Sequence, residues 1–533
     1  MIIRTIRATA GYGKTTLIMK DIDFYAQKLK GTENDRSLYI TYTKHNVQDA
    51  RKKIGRVLLK DLIRTLHSVC YEALSLRKND DEEFIAELRS YDFNKQFSRN
   101  ISPVQGSALT IGLQAQLRTR DDFLLSMYNK IRNLNANPEE DVYIIKEDLE
   151  LKNVSLDDYF KFVKDWELFK RIYNLIDFND MLQLVDVEHF KYLFNRPDNE
   201  NKKNHFKNVV YFFFDEFQDF TPLMLSVVEK LIRAREDMLR EVVLVGDESQ
   251  TIYNFQGAEP LSLTIYAETL ARKFNAEFKE QVYSESKRCP DNILFYAKLF
   301  SKKEIKGNEK QGTLIENANL NDFIDAVKRK KGSAMIIVRH NADVKKYIEM
   351  LDKMQLPALS IEDYYKDYKL LKLISNINRF KEKAENELYE IYKFECELIN
   401  HKPLDKKKVN TGKLFFRYND LKYAMQVIYL YLMKKNKKEK AEIIKRMYNL
   451  SIYEPVVVLT AHKSKGLEAD IVYCDLAYDE TIDKAVRTNF INAKNEEDIF
   501  FVAFTRSKDT LLLSEETLNN INLLLSKKCQ VSY

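Results

Sequence analysis

Ile2-Ile3-Arg4-Thr5-Ile6-Arg7-Ala8-Thr9-Ala10-Gly11-Tyr12-Gly13-Lys14-Thr15-Thr16 is the stretch from which the rest of the chain is read. A β-favouring apolar run leads into a short glycine-bearing loop and then into residues that open a helix. The loop fits the pattern G-x-x-x-x-G-K-[ST] with Ala8 in the first glycine position, so successive backbone N–H groups can converge on a nucleotide's phosphates. Gly11 and Gly13 take backbone angles that a side chain forbids, and a helix from Thr15 adds a positive dipole end. Lys14 supplies a mobile point charge for the outer phosphates, and the Thr15 hydroxyl is placed to ligate Mg²⁺. Ala8, Gly11, Gly13, Lys14, Thr15 and Thr16 are therefore the candidate nucleotide contacts.

A phosphate loop needs a carboxylate on a neighbouring strand. Val209-Val210-Tyr211-Phe212-Phe213-Phe214 is a continuous apolar run suited to a parallel strand covered on both faces, and it delivers Asp215-Glu216-Phe217-Gln218-Asp219 at its carboxyl end. Asp215 is the candidate metal carboxylate, and Glu216 the group that orients and deprotonates an attacking water. A third run, Glu241-Val242-Val243-Leu244-Val245, ends in Gly246-Asp247-Glu248-Ser249-Gln250 and continues through Tyr253 and Phe255. Gln250 there is positioned to sense a γ-phosphate, while the two aromatics offer faces for stacked bases. Ser37–Thr41 reads as a further strand ending in Tyr42-Thr43-Lys44, at the sheet edge where open α/β folds bind ligands.

Beyond about Phe274 a second α/β unit is expected, with strands at 334–338, 455–460, 471–474 and 510–513 and no phosphate loop of its own. Such a unit contributes charge to a shared phosphate site, as arginine fingers do, and Arg288 and Arg506 are the candidates. Residues 76–169 and 360–450 read as mainly helical insertions.

Composition narrows the classes. The 533 residues carry 86 Lys and Arg against 80 Asp and Glu, a net charge of only +6, so the molecule is not a general polycation. Five scattered cysteines without a C-x-x-C pair argue for free thiols in a reducing compartment and against a zinc site. No apolar run reaches membrane length, and the opening residues are already strand and phosphate loop rather than a signal peptide. A cytoplasmic location is expected.

The order of motifs then resembles the superfamily 1A DNA helicases of the UvrD, Rep and PcrA type, from Ile2 to about Ser514. The carrying stretches are ATAGYGKTT, TYTKHNVQDA, RTLHSVC, LIDFNDML, DEFQDFTP, GDESQTIYNFQGA, SKRCPDNIL, TAHKSKGLEADIVY and FFVAFTRSK. The resemblance implies an α/β fold of two RecA-like parallel-sheet motor domains with mainly helical insertions. The first motor domain would comprise 1–75 and 170–273, with 76–169 inserted, and the second 274–359 and 451–533, with a reduced insertion at 360–450. It implies an ATPase site of Lys14, Thr15, Asp215, Glu216, Gln250, Arg288 and Arg506, with Gly466 and Glu468 touching nucleotide, and ATP and Mg²⁺ as cofactors. It also implies a single-strand track lined by Tyr42, Thr43, Thr65, His67, Tyr253, Phe255, Thr460, His462 and Ser464.

The implied activity is 3′-to-5′ translocation on single-stranded DNA with separation of duplex at single-strand/duplex junctions. Alternatives are a DNA translocase or a DNA-sensing component serving a partner nuclease or a replication or repair protein, and a non-catalytic nucleic-acid scaffold. RNA is a further possible track. Chains that open directly on the phosphate loop look like phage-encoded members, which would place this one in a host cytoplasm. Two departures bear on the base. Too few residues precede Ala8 for the family's adenine-reading glutamine segment, and Lys287 stands where the family has an aromatic before the arginine, so relaxed base selectivity is expected.

Overall fold

The computed structural model describes residues 1–28, 35–54, 62–74, 85–102, 119–197, 204–252, 263–330, 332–361, 385–398, scattered positions between 402 and 442, 455–488 and 490–530. The chain divides into two compact units, Met1–Glu285 with Lys302–Ile305, and Ser286–Ser301 with Lys306–Tyr533.

The first unit is built on six parallel strands: β1 (Ile2–Ala8), β2 (Arg36–Thr41), β3 (Ile63–Thr65), β4 (Val209–Asp215), β5 (Glu241–Gly246) and β6 (Glu277–Tyr283). Their order across the sheet is β3-β2-β4-β5-β1-β6. Successive side chains leave a strand on opposite faces, and both faces here are covered. Phe212 and Phe214 join Leu244 and Ile40 in one core cluster, while Phe213, with Val243, Tyr39 and Ile6, belongs to the other. An all-apolar strand such as β4 follows from this arrangement, since neither face meets water. Helix α1 (Lys14–Lys28) leaves the carboxyl end of β1 after the loop. Helices α2 (Lys44–Lys53) and α3 (Leu66–Ala73) leave β2 and β3, capped by Thr43 and Thr65.

The expected insertion in the first unit is helical, with Arg120–Asn133 and Leu156–Tyr173 its longest described helices. It carries its own core around Phe93, Phe162, Trp166 and Phe169. A buried ionic cluster closes that core: Arg132 and Lys170 both meet Asp177, at 2.6 and 2.9 Å, and both contact Asp180.

The second unit holds another six parallel strands, β9 (Thr313–Ile315), β10 (Ala334–Val338), β11 (Ala358–Ser360), β12 (Val456–Thr460), β13 (Ala469–Asp475) and β14 (Ser507–Leu513), ordered β11-β12-β10-β13-β14-β9. A small pair, β7 (Glu285–Pro290) and β8 (Lys306–Asn308), precedes it. The four strands expected there are all present.

One boundary is corrected. The second unit begins at Ser286 rather than at 274, because Glu277–Tyr283 adds alongside β1 as an edge strand of the first sheet. Its sequence EFKEQVY shows no apolar run because the strand is largely exposed, so it escapes a search for buried strands. No described helix is long and apolar enough to cross a membrane.

Candidate nucleotide and nucleic-acid site

The loop Thr9–Gly13 joins β1 to α1, and Gly11 and Gly13 adopt φ of 76° and 97°. A Cβ on Gly13 would meet nothing closer than 4.0 Å, so it is backbone conformation and not crowding that calls for glycine there. Lys14 is buried at the helix start, whereas Thr16 faces outward. The Thr15 hydroxyl donates to Asp215 Oδ2 at 2.9 Å, across the 200 residues that separate the two motifs. Tyr39, from the middle of β2, donates its hydroxyl to the same oxygen at 2.6 Å, and the Glu216 N–H donates to Asp215 Oδ1 at 2.9 Å.

Asp215 is fully buried. Burial first, and then the adjacent Glu216 charge, raise its pKa above the ordinary carboxylate value despite Tyr39, Lys14 and Thr15. A carboxylate short of positive charge, with a hydroxyl 2.9 Å away at the mouth of a phosphate loop, suits a small hard cation. Mg²⁺ takes one or two protein oxygens and completes its shell with phosphate and water. Among the described residues there is no cluster of three or more His, Cys, Asp or Glu side chains that could hold a metal ion.

Glu216 sits in the left-handed region, φ 55° and ψ 40°, just past the strand end. Its Oε2 accepts from Gln218 Nε2 at 2.6 Å, and Gln218 Oε1 in turn accepts from the Asp247 N–H at 3.1 Å. One side-chain amide thus ties the end of β4 to the end of β5. Asp247 is buried and accepts from Gln250 Nε2 at 2.6 Å. Burial opposes its charge, but Lys303 and Lys14 outweigh it and hold the carboxyl below its usual range.

In the second unit, three distant stretches converge. Arg288 Nε donates to Glu468 at 2.7 Å, and its Nη1 donates to the Thr505 carbonyl at 3.0 Å. Arg506 is buried, donating to the carbonyls of Val502 at 2.8 Å and Leu467 at 3.3 Å and to the Thr505 hydroxyl at 2.9 Å. Gly466 stands just before this cluster with φ 81° and open space around it. Arg288, Glu468 and Arg506 are therefore neighbours.

The residues expected along a nucleic-acid track divide. Tyr42 follows β2 and packs partly against the first core cluster. The hydroxyls of Thr43 and Thr65 accept from the N–H groups of Asn46 and Ser68, at 3.1 and 3.2 Å, as helix caps. His67 meets Phe178 edge-to-face at 6.0 Å, and burial lowers its pKa to about 4. Thr460 is buried at the end of β12, and Ser464 is buried with Oγ donating to the Ala461 carbonyl at 2.7 Å. Burial, followed by Arg339 and Lys465, lowers His462 to about 3. Both histidines are neutral near pH 7 and offer rings rather than charge. Tyr253 and Phe255 lie outside the described residues.

Sequence reasoning passed over three participants. Tyr39 reads as an ordinary strand residue, and Gln218 sits unremarked inside DEFQD, although its spacing of two from Glu216 brings the side chains together. The third is an aromatic beside the loop. Position 287 is a lysine, but Tyr283, at the end of β6 opposite Ala8, stacks on Tyr12 of the phosphate loop with ring centroids 4.4 Å apart and planes 20° from parallel.

Two parallel α/β sheets, one of them bearing a glycine loop and a strand-end carboxylate, define the RecA-like class of fold. The UvrD/REP helicase N-terminal domain profile matches residues 3–271, and the chain belongs to the UvrD/REP helicase family. It is 23% identical over 332 residues to the probable DNA helicase II homolog of Mycoplasma capricolum, covering 58% of this chain and 41% of that protein. It is 21% identical over 394 residues to the ATP-dependent DNA helicase Rep of Buchnera aphidicola subsp. Baizongia pistaciae, covering 70% of this chain and 53% of that one. A shorter match, 33% over 114 residues, 20% of this chain and 9% of the relative, is to a component of the ATP-dependent helicase/nuclease of Lysinibacillus sphaericus. The chain thus spans no more than 53% of the length of any of these three relatives.

Proposed function

We propose that this protein is a magnesium-dependent ATPase that moves 3′ to 5′ along single-stranded DNA and separates duplex at single-strand/duplex junctions. The observation that carries the reading is the meeting of Thr15, Tyr39 and the buried Asp215 beside a loop with two positive-φ glycines. Names of relatives, DNA helicase II and Rep among them, support the DNA helicase assignment.

In this reading Ala8, Gly11, Gly13, Lys14, Thr15 and Thr16 cradle the phosphates, and Thr15 and Asp215 hold Mg²⁺. An ion held there would supply charge that neutralises the phosphates. Glu216, fixed by Gln218, orients the attacking water and accepts its proton. Gln250 reports nucleotide state through Asp247. Arg288 and Arg506, with Gly466 and Glu468, are the second unit's contribution to the nucleotide. Tyr42, Thr43, Thr65, His67, Tyr253, Phe255, Thr460, His462 and Ser464 are assigned to the strand, the aromatics by stacking. An intracellular site of action accords with a DNA substrate.

The test is unwinding of a partial duplex bearing either a 3′ or a 5′ tail, with Glu216→Gln as control. Opening only from the 3′ tail, lost in the variant, is expected; opening only from the 5′ tail would overturn the polarity. A second reading, a translocase working with a nuclease or a replication or repair factor, draws on the relatives named as parts of a helicase/nuclease. DNA-stimulated hydrolysis without unwinding by the isolated protein would favour it.

A further inference from the structure

Four residues outside every recognised motif return to the sheet that bears the phosphate loop. After Ser286–Ser301 has entered the second unit, Lys302–Ile305 belongs again to the first. The returning segment is fastened to the end of β5: the Lys302 N–H donates to Ser249 Oγ at 2.9 Å, and Lys302 Nζ donates to the Glu248 carbonyl at 2.9 Å. That fastening directs the next side chain inward. Lys303 Nζ lies 3.3 Å from Asp247 Oδ1, with the lysine side chain 12% exposed and the aspartate side chain fully buried.

The place matters more than the pair. Arg7 is opposite Gly246 in the sheet, so Asp247 stands beside Ala8, the first residue of the phosphate loop. Lys14 and Lys303 both act on the Asp247 charge, and Lys14 disfavours the Lys303 ammonium. Two lysines are thus gathered about one buried carboxylate at the mouth of a site for polyanions. Arg7, a third cation acting on Lys303, is already engaged by Glu248 at 3.0 Å and Glu280 at 3.4 Å.

We propose that Lys303 is a second lysine for the terminal phosphate of the bound nucleotide, leaving Asp247 for the γ-phosphate when a triphosphate enters and making the site discriminate tri- from diphosphate. This inference rests on the nucleotide reading above. The exchange relieves the crowding of the two ammonium groups by adding negative charge. It also removes a partner from Asp247, the carboxylate that holds Gln250 at 2.6 Å, so arrival of the γ-phosphate is passed directly to the strand-end glutamine.

Equilibrium binding of the full chain to Mg²⁺ with either adenylyl imidodiphosphate or ADP, by titration calorimetry, tests it. For Lys303→Met the triphosphate analogue is expected to bind about tenfold more weakly, with ADP changed less than about twofold, and Lys303→Arg is expected to keep most of the discrimination. Because Lys303→Met leaves Asp247 buried without this partner, the double variant Lys303→Met/Asp247→Asn serves where the single one melts early, with the same selective loss expected. Equal weakening of both nucleotides, or no weakening, overturns the role of Lys303 while leaving the nucleotide site standing. Failure of the unsubstituted protein to bind either nucleotide overturns the site itself.

Discussion

Gly246→Ala tests the bridge between the two strand ends without touching any residue assigned to nucleotide. A Cβ at position 246 would lie 2.7 Å from Gln218 Oε1, with the Gln218 backbone N at 3.4 Å. The near atom is the end of a flexible side chain, so the amide moves and the sheet survives. Displaced by a few tenths of an ångström, the amide can no longer both donate to Glu216 at 2.6 Å and accept from Asp247 at 3.1 Å. A hydrogen bond to a charged group is worth about 1.5–3 kcal/mol. At about 1.4 kcal/mol per factor of ten, losing it in the transition state lowers kcat by about 10- to 100-fold. Lys14, Thr15 and Asp215 keep their places, so KM for ATP stays within about twofold. Steady-state ATP hydrolysis with saturating single-stranded DNA, beside Gln218→Ala and a thermal melt, measures both constants. A folded Gly246→Ala protein whose kcat matches the unsubstituted protein would refute the claim that Gln218 holds Glu216 in register.

Gly13→Ala meets no clash, but holding φ 97° costs alanine about 1–3 kcal/mol; the ligand-free loop is expected to relax out of that angle and nucleotide to restore it, so calorimetry should show affinity reduced about tenfold or more with the ligand-free melting temperature little changed. Arg132→Ala leaves the buried Asp177 and the half-buried Asp180 with one cation fewer and is expected to cost about 3–5 kcal/mol in urea unfolding; a loss under about 1 kcal/mol would show the cluster to be unimportant for stability. Glu87 is pushed up to about 8 by burial and then by Asp177. Since its folded-state pKa is raised, the stability it contributes is complete below its ordinary value near 4.5 and is lost as pH rises through about 8. Chemical denaturation at pH 6 and pH 8.5 should show Glu87→Gln falling less between the two than the unsubstituted protein does. Tyr283→Ala removes one ring of the stacked pair beside the loop and is expected to raise KM for ATP several-fold; an unchanged KM would exclude that ring from base binding.

Buried parallel strands announce themselves, which is why β1, β4, β5, β10 and β12 are legible as apolar runs and their carboxyl ends yield Lys14, Thr15, Asp215, Glu216 and Gln250. Edge strands do not. Strand β6 is wet along most of its length, so its polar composition hides both the strand and Tyr283 at its end. Hydroxyls are legible only as part of a motif: Thr43, Thr65 and Ser464 each bond to nearby backbone in this structure, a local role that the motif spelling does not announce. Lys303 cannot be read from local pattern, because its meaning depends on a chain that leaves the first unit and comes back.

Trp166 is the chain's single tryptophan, fully buried in the core of the helical insertion. Phe93 meets it edge-on at 4.9 Å, and its indole N–H points to Asp177 at 3.4 Å. The molecule therefore carries one built-in indole fluorophore, located in a segment to which no chemistry is assigned. Emission excited at the indole band reports on that segment alone, so melting followed by tryptophan light and melting followed by far-ultraviolet dichroism need not coincide. Where they separate, the gap measures how independently the insertion holds itself together from the sheet that bears the phosphate loop.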